Sequence, residues 1–104
     1  PSRPAGRGNV QILWTAAAVR DLESLAEYVA RDNPVAAVDQ VLRIIHVVER
    51  HLPEMPHLGR AGRVPGTREL VVADTPCLVA YRVRRDNLEI LRVLHHAQRW
   101  PAEF

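Results

Sequence analysis

Arginine and histidine supply the side chains in this sequence that could do chemistry. All 14 basic residues are Arg and none is Lys. The candidates lie in the C-terminal half: Arg60, Arg63, Arg68, Arg82 and the adjacent pair His95 and His96. A guanidinium group grips carboxylate or phosphate oxygens but carries a permanent charge, whereas histidine exchanges a proton near neutral pH. The four arginines therefore predict contact with an anionic target, and His95 and His96 are the candidates for an acid or base.

Other common kinds of site are missing from the sequence. It contains no CxxC or HExxH spacing and no pair of carboxylates suited to acid-base work. Residues 59–66 are rich in glycine but lack the Lys and Ser/Thr of a phosphate-binding loop. Cys77 is the single cysteine, which excludes an internal disulfide, and we expect it to be an inert thiol in a strand. We expect no cofactor and no metal ion.

The charges are unevenly distributed along the chain. Residues 15–56 carry four arginines against seven acids, a net charge of −3, whereas residues 57–104 carry eight arginines against five acids, a net charge of +3. A basic half attracts a polyanion or an acidic partner peptide, although charge alone does not identify the partner.

Length and hydropathy favour one small domain. With 104 residues and 47% hydrophobic residues the chain can form a single core. Its apolar runs are interrupted by Arg43 and His46 and are shorter than the roughly 20 residues of a membrane span. Residues 1–9 are polar and rich in Gly, Pro and Arg, without the apolar region of a signal peptide. We expect a flexible tail over residues 1–9, a single domain over 10–104, and a soluble cytoplasmic protein without membrane contact.

The N-terminal half predicts a strand followed by a helical hairpin. Residues 10–14 are apolar and β-prone, and Thr15 is a good N-cap for an amphipathic helix over 16–32. Asn33 and Pro34 end this helix and begin a second one, which extends to about Leu52. The predicted apolar face of the second helix comprises Val38, Val41, Leu42, Ile45, Val48 and Leu52.

The C-terminal half predicts a loop over 57–66 and three strands over 67–73, 77–84 and 88–95. A two-residue turn at Asp86 and Asn87 would place Arg84 opposite Glu89, where their charges attract. The same register pairs Val83 with Ile90, Tyr81 with Arg92 and Val79 with Leu94, and it assigns Leu94 to the helix-facing side and Val93 and His95 to the other. The predicted fold class is α+β, with an N-terminal strand and a helical hairpin packed on a small antiparallel β-sheet.

Short motifs in this order give the chain a family resemblance. They are Trp14 with Ala18, Asp21 and Leu22; residues 33–37 (NPVAA); residues 59–63 (GRAGR); residues 65–70 (PGTREL); residues 81–83 (YRV); residues 90–95 (ILRVLH); and Gln98, Trp100 and Pro101. Together these motifs resemble the RelE/ParE superfamily of bacterial toxins over about residues 10–101.

The resemblance implies a toxin that arrests growth and is neutralised by a cognate antitoxin, so that the two form a hetero-oligomer. The antitoxins of this superfamily commonly carry a DNA-binding N-terminal part and wrap the toxin with their C-terminal segment. We expect the apolar groove between the helices and the sheet to bind the antitoxin, with contacts from Leu22, Leu25, Val41 and Ile45.

The superfamily divides by target, since RelE-like members cleave mRNA on the ribosome and ParE-like members poison DNA gyrase. The resemblance therefore implies one of these two targets, with a target outside both groups as a further alternative. Metal-free RNA cleavage needs an acid and a base beside the cationic clamp. In this chain no Tyr follows His96, and Cys77 stands where some nucleases have Arg. The predicted register also places Arg82 opposite Leu91, roughly 13 Å from His95.

The ending from Val93 to His95, followed by Gln98, resembles the ParE-like branch. We therefore expect gyrase poisoning, with Arg60, Arg63, Arg68 and Arg82 as the target-binding residues. The alternative is a ribosome-dependent mRNA endonuclease using Arg68, Arg82 and His95 or His96. A third hypothesis is a decayed module that binds the antitoxin alone.

Overall fold

The computed structural model describes residues 10–96, 101, 103 and 104. Its elements are β1 (Gln11–Trp14), α1 (Ala16–Ala30), α2 (Pro34–His51), β2 (Arg60–Ala61), β3 (Arg68–Val71), β4 (Cys77–Arg84) and β5 (Asn87–His95). The expected tail over 1–9, together with Gln98 and Trp100, lies outside the described residues. Within the described part of the chain, no helix is long and apolar enough to cross a membrane.

Side-chain caps begin both helices, as the sequence predicts. The Thr15 hydroxyl oxygen accepts a hydrogen bond from the Ala18 N–H at 3.1 Å, and the hydroxyl donates to the Ile90 carbonyl at 2.8 Å. Asn33 accepts from the Ala36 N–H at 3.0 Å, with Pro34 in the first turn of α2. Local sequence therefore sets the start of each helix, and Thr15 also fastens α1 to β5.

The strands form one sheet in the order β1-β5-β4-β3-β2. β1 runs parallel to β5, and the other neighbouring strands are antiparallel. The predicted α+β fold, a helical hairpin on a small sheet, is confirmed. The structure adds the short strand β2 within the predicted loop and shows that the N-terminal strand joins the sheet as a parallel edge.

The predicted register of the last hairpin is wrong. The turn consists of Arg85 and Asp86, and Asn87 pairs with Arg84. Arg85 has a φ of 49°, the left-handed conformation that two-residue hairpin turns require. Glu89 consequently lies opposite Arg82, with a salt bridge of 2.6 Å. An opposite-charge pair was possible in both registers, because Arg82 and Arg84 are two residues apart on the same strand face.

A β-bulge also changes the faces of β5. The partner of Tyr81 is Ile90, but the partner of Ala80 is Arg92, so Leu91 is an extra residue on β5. Beyond the extra residue, side-chain alternation shifts by one position. Val93 therefore belongs to the core cluster on the helix side of the sheet, which corrects the prediction that assigned Leu94 to that side and Val93 and His95 to the other.

The main core lies between the two helices and one face of the sheet. Its fully buried members include Ile44 and Val48 from α2, and Val79, Tyr81 and Ile90 from the sheet. The predicted inner face of α2 is only partly correct. Ala37 and Ile44 are buried, whereas Val38 and Leu42 are 59% and 58% exposed. The helix is rotated so that part of its apolar surface faces outward.

Candidate functional site

Arg60 and Arg82 lie on the face of the sheet turned away from the helices, here called the outer face. Tyr81 points into the main core, so its neighbours on β4, Ala80 and Arg82, point the other way. Glu69 is the cross-strand partner of Ala80, and Arg60 is the partner of Glu69. Because directly paired residues share a face, Arg60, Glu69 and Arg82 lie on the outer face. From strand spacings, Arg60 and Arg82 are about 12 Å apart at the backbone.

A buried carboxylate organises the arginines at the edge of this face. Glu69 is only 2% exposed. Its Oε1 accepts a hydrogen bond from Arg60 Nη2 at 3.2 Å, and its Oε2 accepts from the backbone N–H of Arg63 at 2.8 Å. Arg63 Nε lies 3.6 Å from the same Oε2. Two guanidinium groups therefore share one carboxylate, which leaves this group of three residues with a net charge of +1.

The segment that carries Arg60 and Arg63 is closed by its own hydrogen bonds. The Gly62 N–H donates to the Thr67 carbonyl at 2.8 Å, and the Thr67 hydroxyl donates to the Val64 carbonyl at 2.6 Å. A Cβ at position 62 would overlap the Thr67 side chain. Glycine therefore permits the close approach that turns this segment back over Glu69.

Arg68 lies on the opposite face of the sheet from Arg60 and Arg82, so the four arginines predicted to bind the target do not form one surface. It is the partner of Tyr81, on the helix side of the sheet. Its guanidinium donates to the Gly59 carbonyl at 2.7 Å and to the His57 carbonyl at 3.4 Å. In this position Arg68 braces the loop that follows α2.

The candidate histidines lie at the far end of the sheet from Arg82. His95 is the partner of Cys77, five residues along β4 from Arg82, which corresponds to roughly 16 Å. Its side chain lines a cleft of about 450 Å³ beside α1, on the helix side. His96 is exposed, and its backbone N–H donates to the Pro76 carbonyl at 3.0 Å. The structure therefore does not bring His95 and Arg82 together.

The same cleft contains a thiol and a structural ion pair. Cys77 is 2% exposed, and its burial, helped by the negative charge of Asp21, raises its pKa, so the thiol stays protonated. Asp21 accepts from Arg92 at 2.7 and 3.0 Å and from the Val93 N–H at 2.8 Å. Its hydrogen bond raises the pKa of the Arg92 guanidinium. This pair joins α1 to β5 beside the bulge.

The residues expected to contact an antitoxin lie mostly inside the fold. Leu22 is 8% exposed and belongs to the core. Leu25, Val41 and Ile45 are half-buried and pack against that core. Their contact with an antitoxin stays a prediction, and Leu22 has no side-chain surface to offer without rearrangement.

Sequence reasoning missed Glu69. It selected Arg60 and Arg63 for their type, but an acid between Arg68 and Leu70 in a strand gave no separate signal. The one hint in the sequence was the alternation of side chains along a strand. Glu69 directly follows Arg68, so the two side chains point to opposite faces of the sheet.

Comparison with known proteins agrees with this architecture. Residues 12–100 match the family of the ParE toxin of the type II toxin-antitoxin system, parDE. The chain belongs to this family. The resemblance to the RelE/ParE superfamily is thereby confirmed, and this ParE-family chain is a type II toxin-antitoxin toxin.

Individual relatives span almost the same length. The ParE-family chain is 46% identical over 91 residues to the protein Y4kP of Sinorhizobium fredii, an alignment covering 88% of this chain and 93% of the relative. It is 33% identical over 88 residues to toxin RelE2 of Caulobacter vibrioides, covering 85% and 97%.

Among solved structures, it is similar to the chromosomal ParDE system of P. aeruginosa, with a TM-score of 0.76, 29% identity and coverage of 84% of this chain and 96% of that one. The RelBE2 toxin-antitoxin complex of Mycobacterium tuberculosis has a TM-score of 0.62, 20% identity and coverage of 93% and 100%, which shows the shared fold.

Proposed function

We propose that this ParE-family toxin arrests growth by binding DNA gyrase, that it does not cut RNA, and that a cognate antitoxin holds it inactive. One observation carries the choice of mechanism. Arg82 and His95 lie on opposite faces of the sheet and roughly 16 Å apart, so these two side chains cannot act on one phosphate. Arg68, on the same side as His95, donates to the His57 and Gly59 carbonyls.

RNA cleavage and gyrase binding need different side chains. Cleavage of RNA without a metal needs proton-transfer groups within hydrogen-bond reach of the attacked phosphate, and each contributes typically 10²- to 10⁴-fold. Arginine cannot replace them because it does not give up its proton near neutral pH. Binding an acidic protein surface needs only charge and hydrogen-bond donors. Arg60 and Arg63 supply both on the outer face, and Arg82, whose Nε is paired with Glu89 at 2.6 Å, supplies its remaining N–H donors.

A paired assay tests this proposal. Purified toxin, released from its antitoxin, is added to a gyrase supercoiling reaction and, separately, to translating ribosomes followed by primer extension on mRNA. We expect inhibition of supercoiling with intact mRNA. Codon-phased cuts with undisturbed supercoiling would overturn the proposal in favour of the ribosome-dependent nuclease. A chain that affects neither reaction and does not slow growth would fit a module that binds the antitoxin alone.

Arginine variants give the assay a matched control. Arg82→Ala should weaken gyrase inhibition about tenfold or more, because a hydrogen bond to a charged group contributes roughly 1.5 to 3 kcal/mol. Arg43→Ala should not change it, because Arg43 is on α2 and its salt bridge within the described residues is a 3.9 Å contact with the exposed Asp74.

The antitoxin part of the proposal is supported by the family and by two structures of similar fold, a ParDE system and a RelBE2 toxin-antitoxin complex. In this chain the outward apolar surface of α2 fits a partner helix. We propose an antitoxin whose C-terminal segment covers this surface and whose N-terminal part binds DNA. The exposed part of this contact surface would consist of Val38 and Leu42. Its half-buried part would consist of Leu25, Val41 and Ile45.

A further inference from the structure

Glu69 is the most deeply buried acid among the residues that the structure describes, and it lies on the outer face. The carboxylate accepts from Arg60 Nη2 and from the Arg63 N–H, and it lies 3.6 Å from Arg63 Nε. Each of these partners belongs to the two arginines or their backbone. A buried carboxylate is costly unless it is paired, so the two arginines are what make its burial tolerable.

The segment 60–67 is also closed by hydrogen bonds that do not involve the Glu69 side chain. Arg60 and Ala61 pair with β3, and Gly62, Val64 and Thr67 are joined by three further hydrogen bonds. What Glu69 adds is a common anchor for two long side chains. The guanidinium-bearing side chains of Arg60 and Arg63 remain 61% and 52% exposed although both approach the carboxylate.

We propose that Glu69 is a positioning residue for target recognition, which holds Arg60 and Arg63 side by side as one preformed cationic site on the outer face. This inference rests on the proposed role of these arginines in target binding. Long side chains that are ordered before binding lose less rotamer freedom when the complex forms. Glu69 contacts Arg60 through Nη2 and Arg63 through Nε, and the three residues keep a net charge of +1 that attracts a target acid.

The test is a double-mutant cycle in the full-length toxin. Glu69→Gln preserves the size of the side chain but removes the charge that orients both arginines. We expect it to weaken gyrase inhibition and growth arrest about tenfold, the scale of one hydrogen bond to a charged group. In an Arg60→Ala, Arg63→Ala background the same substitution should not weaken either readout further, because the two side chains that Glu69 holds are absent and coupled residues do not act additively.

A merely structural role predicts a different pattern, in which Glu69→Gln has the same effect in both backgrounds. That result, or full activity of Glu69→Gln in the native background, would overturn the inference. Circular dichroism and antitoxin affinity establish that each variant is folded. If Glu69→Gln does not fold, Glu69→Asp serves in its place. It keeps the charge but withdraws the carboxylate by one methylene, and the same non-additivity is expected.

Asp74→Asn is the matched control. Its side chain is 79% exposed in a 3.9 Å pair with Arg43, and Asn tolerates the φ of 66° at this position. This variant should keep wild-type activity. Growth arrest is scored whatever the target is. If the wild-type toxin leaves gyrase untouched, the proposed function fails while the growth-arrest cycle still decides the role of Glu69. If gyrase is inhibited but the cycle is additive, only the inference about Glu69 fails.

Discussion

At the scale of single residues, Tyr81 joins β4 to the loop that follows α2. Its side chain is fully buried, and its hydroxyl donates to the Pro56 carbonyl at 2.8 Å while accepting from the Gly59 N–H at 2.9 Å. One side chain on β4 thereby satisfies two backbone groups of the loop after α2. Arg68 on β3 also donates to carbonyls of this loop, so β3 and β4 together fix the loop that leads into β2.

We expect Tyr81→Phe to lower the free energy of unfolding by about 1 to 3 kcal/mol, because the Gly59 N–H and the Pro56 carbonyl would lose a buried partner. Urea denaturation followed by circular dichroism measures the change. Tyr28→Phe is the control, since Tyr28 is 66% exposed and should shift stability by less than about 0.5 kcal/mol. Equal effects of the two variants would contradict the assigned role of the Tyr81 hydroxyl.

Alkaline stability gives a second test of Tyr81. Burial raises its pKa, an effect partly opposed by the Gly59 hydrogen bond and the charge of Arg68. The folded chain therefore keeps the phenol proton at pH values where the unfolded chain, with an ordinary pKa of about 10, has lost it. This contribution is full below about pH 10 and is lost as pH rises through the raised folded pKa. Between about pH 9 and 11, the free energy of unfolding of Tyr81→Phe should fall less steeply with pH than that of the wild-type chain. An identical slope in the two proteins would contradict the raised pKa of Tyr81.

At the scale of elements, the attachment of α1 to the sheet depends on Asp21. Its carboxylate receives three hydrogen bonds from Arg92 and Val93, at the point where Leu91 bulges out of the ladder. The bulge turns the Val93 N–H toward the helix, and Thr15 bonds the Ile90 and Leu91 carbonyls nearby. The irregularity in β5 is therefore part of how the helical hairpin is anchored.

Asp21→Ala should lower the free energy of unfolding by about 2 to 4 kcal/mol, because it leaves the partly buried Arg92 without its carboxylate and the Val93 N–H without an acceptor. Thermal unfolding of the purified chain measures this. The control is Glu23→Ala, a neighbouring exposed acid on the same helix, which should cost less than about 0.5 kcal/mol. A loss no larger than that of Glu23→Ala would show that the ion pair does not anchor α1.

At the scale of the whole molecule, the two proposed binding surfaces lie on opposite sides of the sheet. The outer face carries Arg60, Arg63 and Arg82, whereas Val38 and Leu42 are exposed on α2, which packs on the other face. An antitoxin bound to the helices and a target bound to the outer face would therefore approach from different directions. Substitutions on one surface should leave the other intact.

Leu42→Asp should weaken antitoxin binding about tenfold or more, because it places a charge in a contact that buries apolar surface. Titration calorimetry with the antitoxin measures the affinity, and the free toxin should retain its melting temperature because Leu42 is 58% exposed. Leu58→Asp, a similar change at a 43% exposed loop position, is the control. Unchanged affinity in Leu42→Asp would remove this face of α2 from the antitoxin contact.

The sequence by itself determined the helical hairpin and the order of the elements. Thr15 and Asn33 carry the oxygens that cap α1 and α2, and Pro34 suits a first helical turn wherever the helix packs. These are local interactions between residues three positions apart, so they can be inferred without the rest of the fold. The fold class followed from the order of the predicted strands and helices, and the short family motifs agreed with it.

Tertiary structure alone decided which side of each element faces inward. Apolar residues surround much of α2, so periodicity could not choose between Ala37 with Ile44 and Val38 with Leu42, and packing on the sheet made the choice. The bulge at Leu91 moved Val93 to the core, and the strand ladder separated Arg68 from Arg60 and Arg82. A shift of one residue in a strand reverses the face of every side chain beyond it, and that shift is set by contacts between residues far apart in the chain.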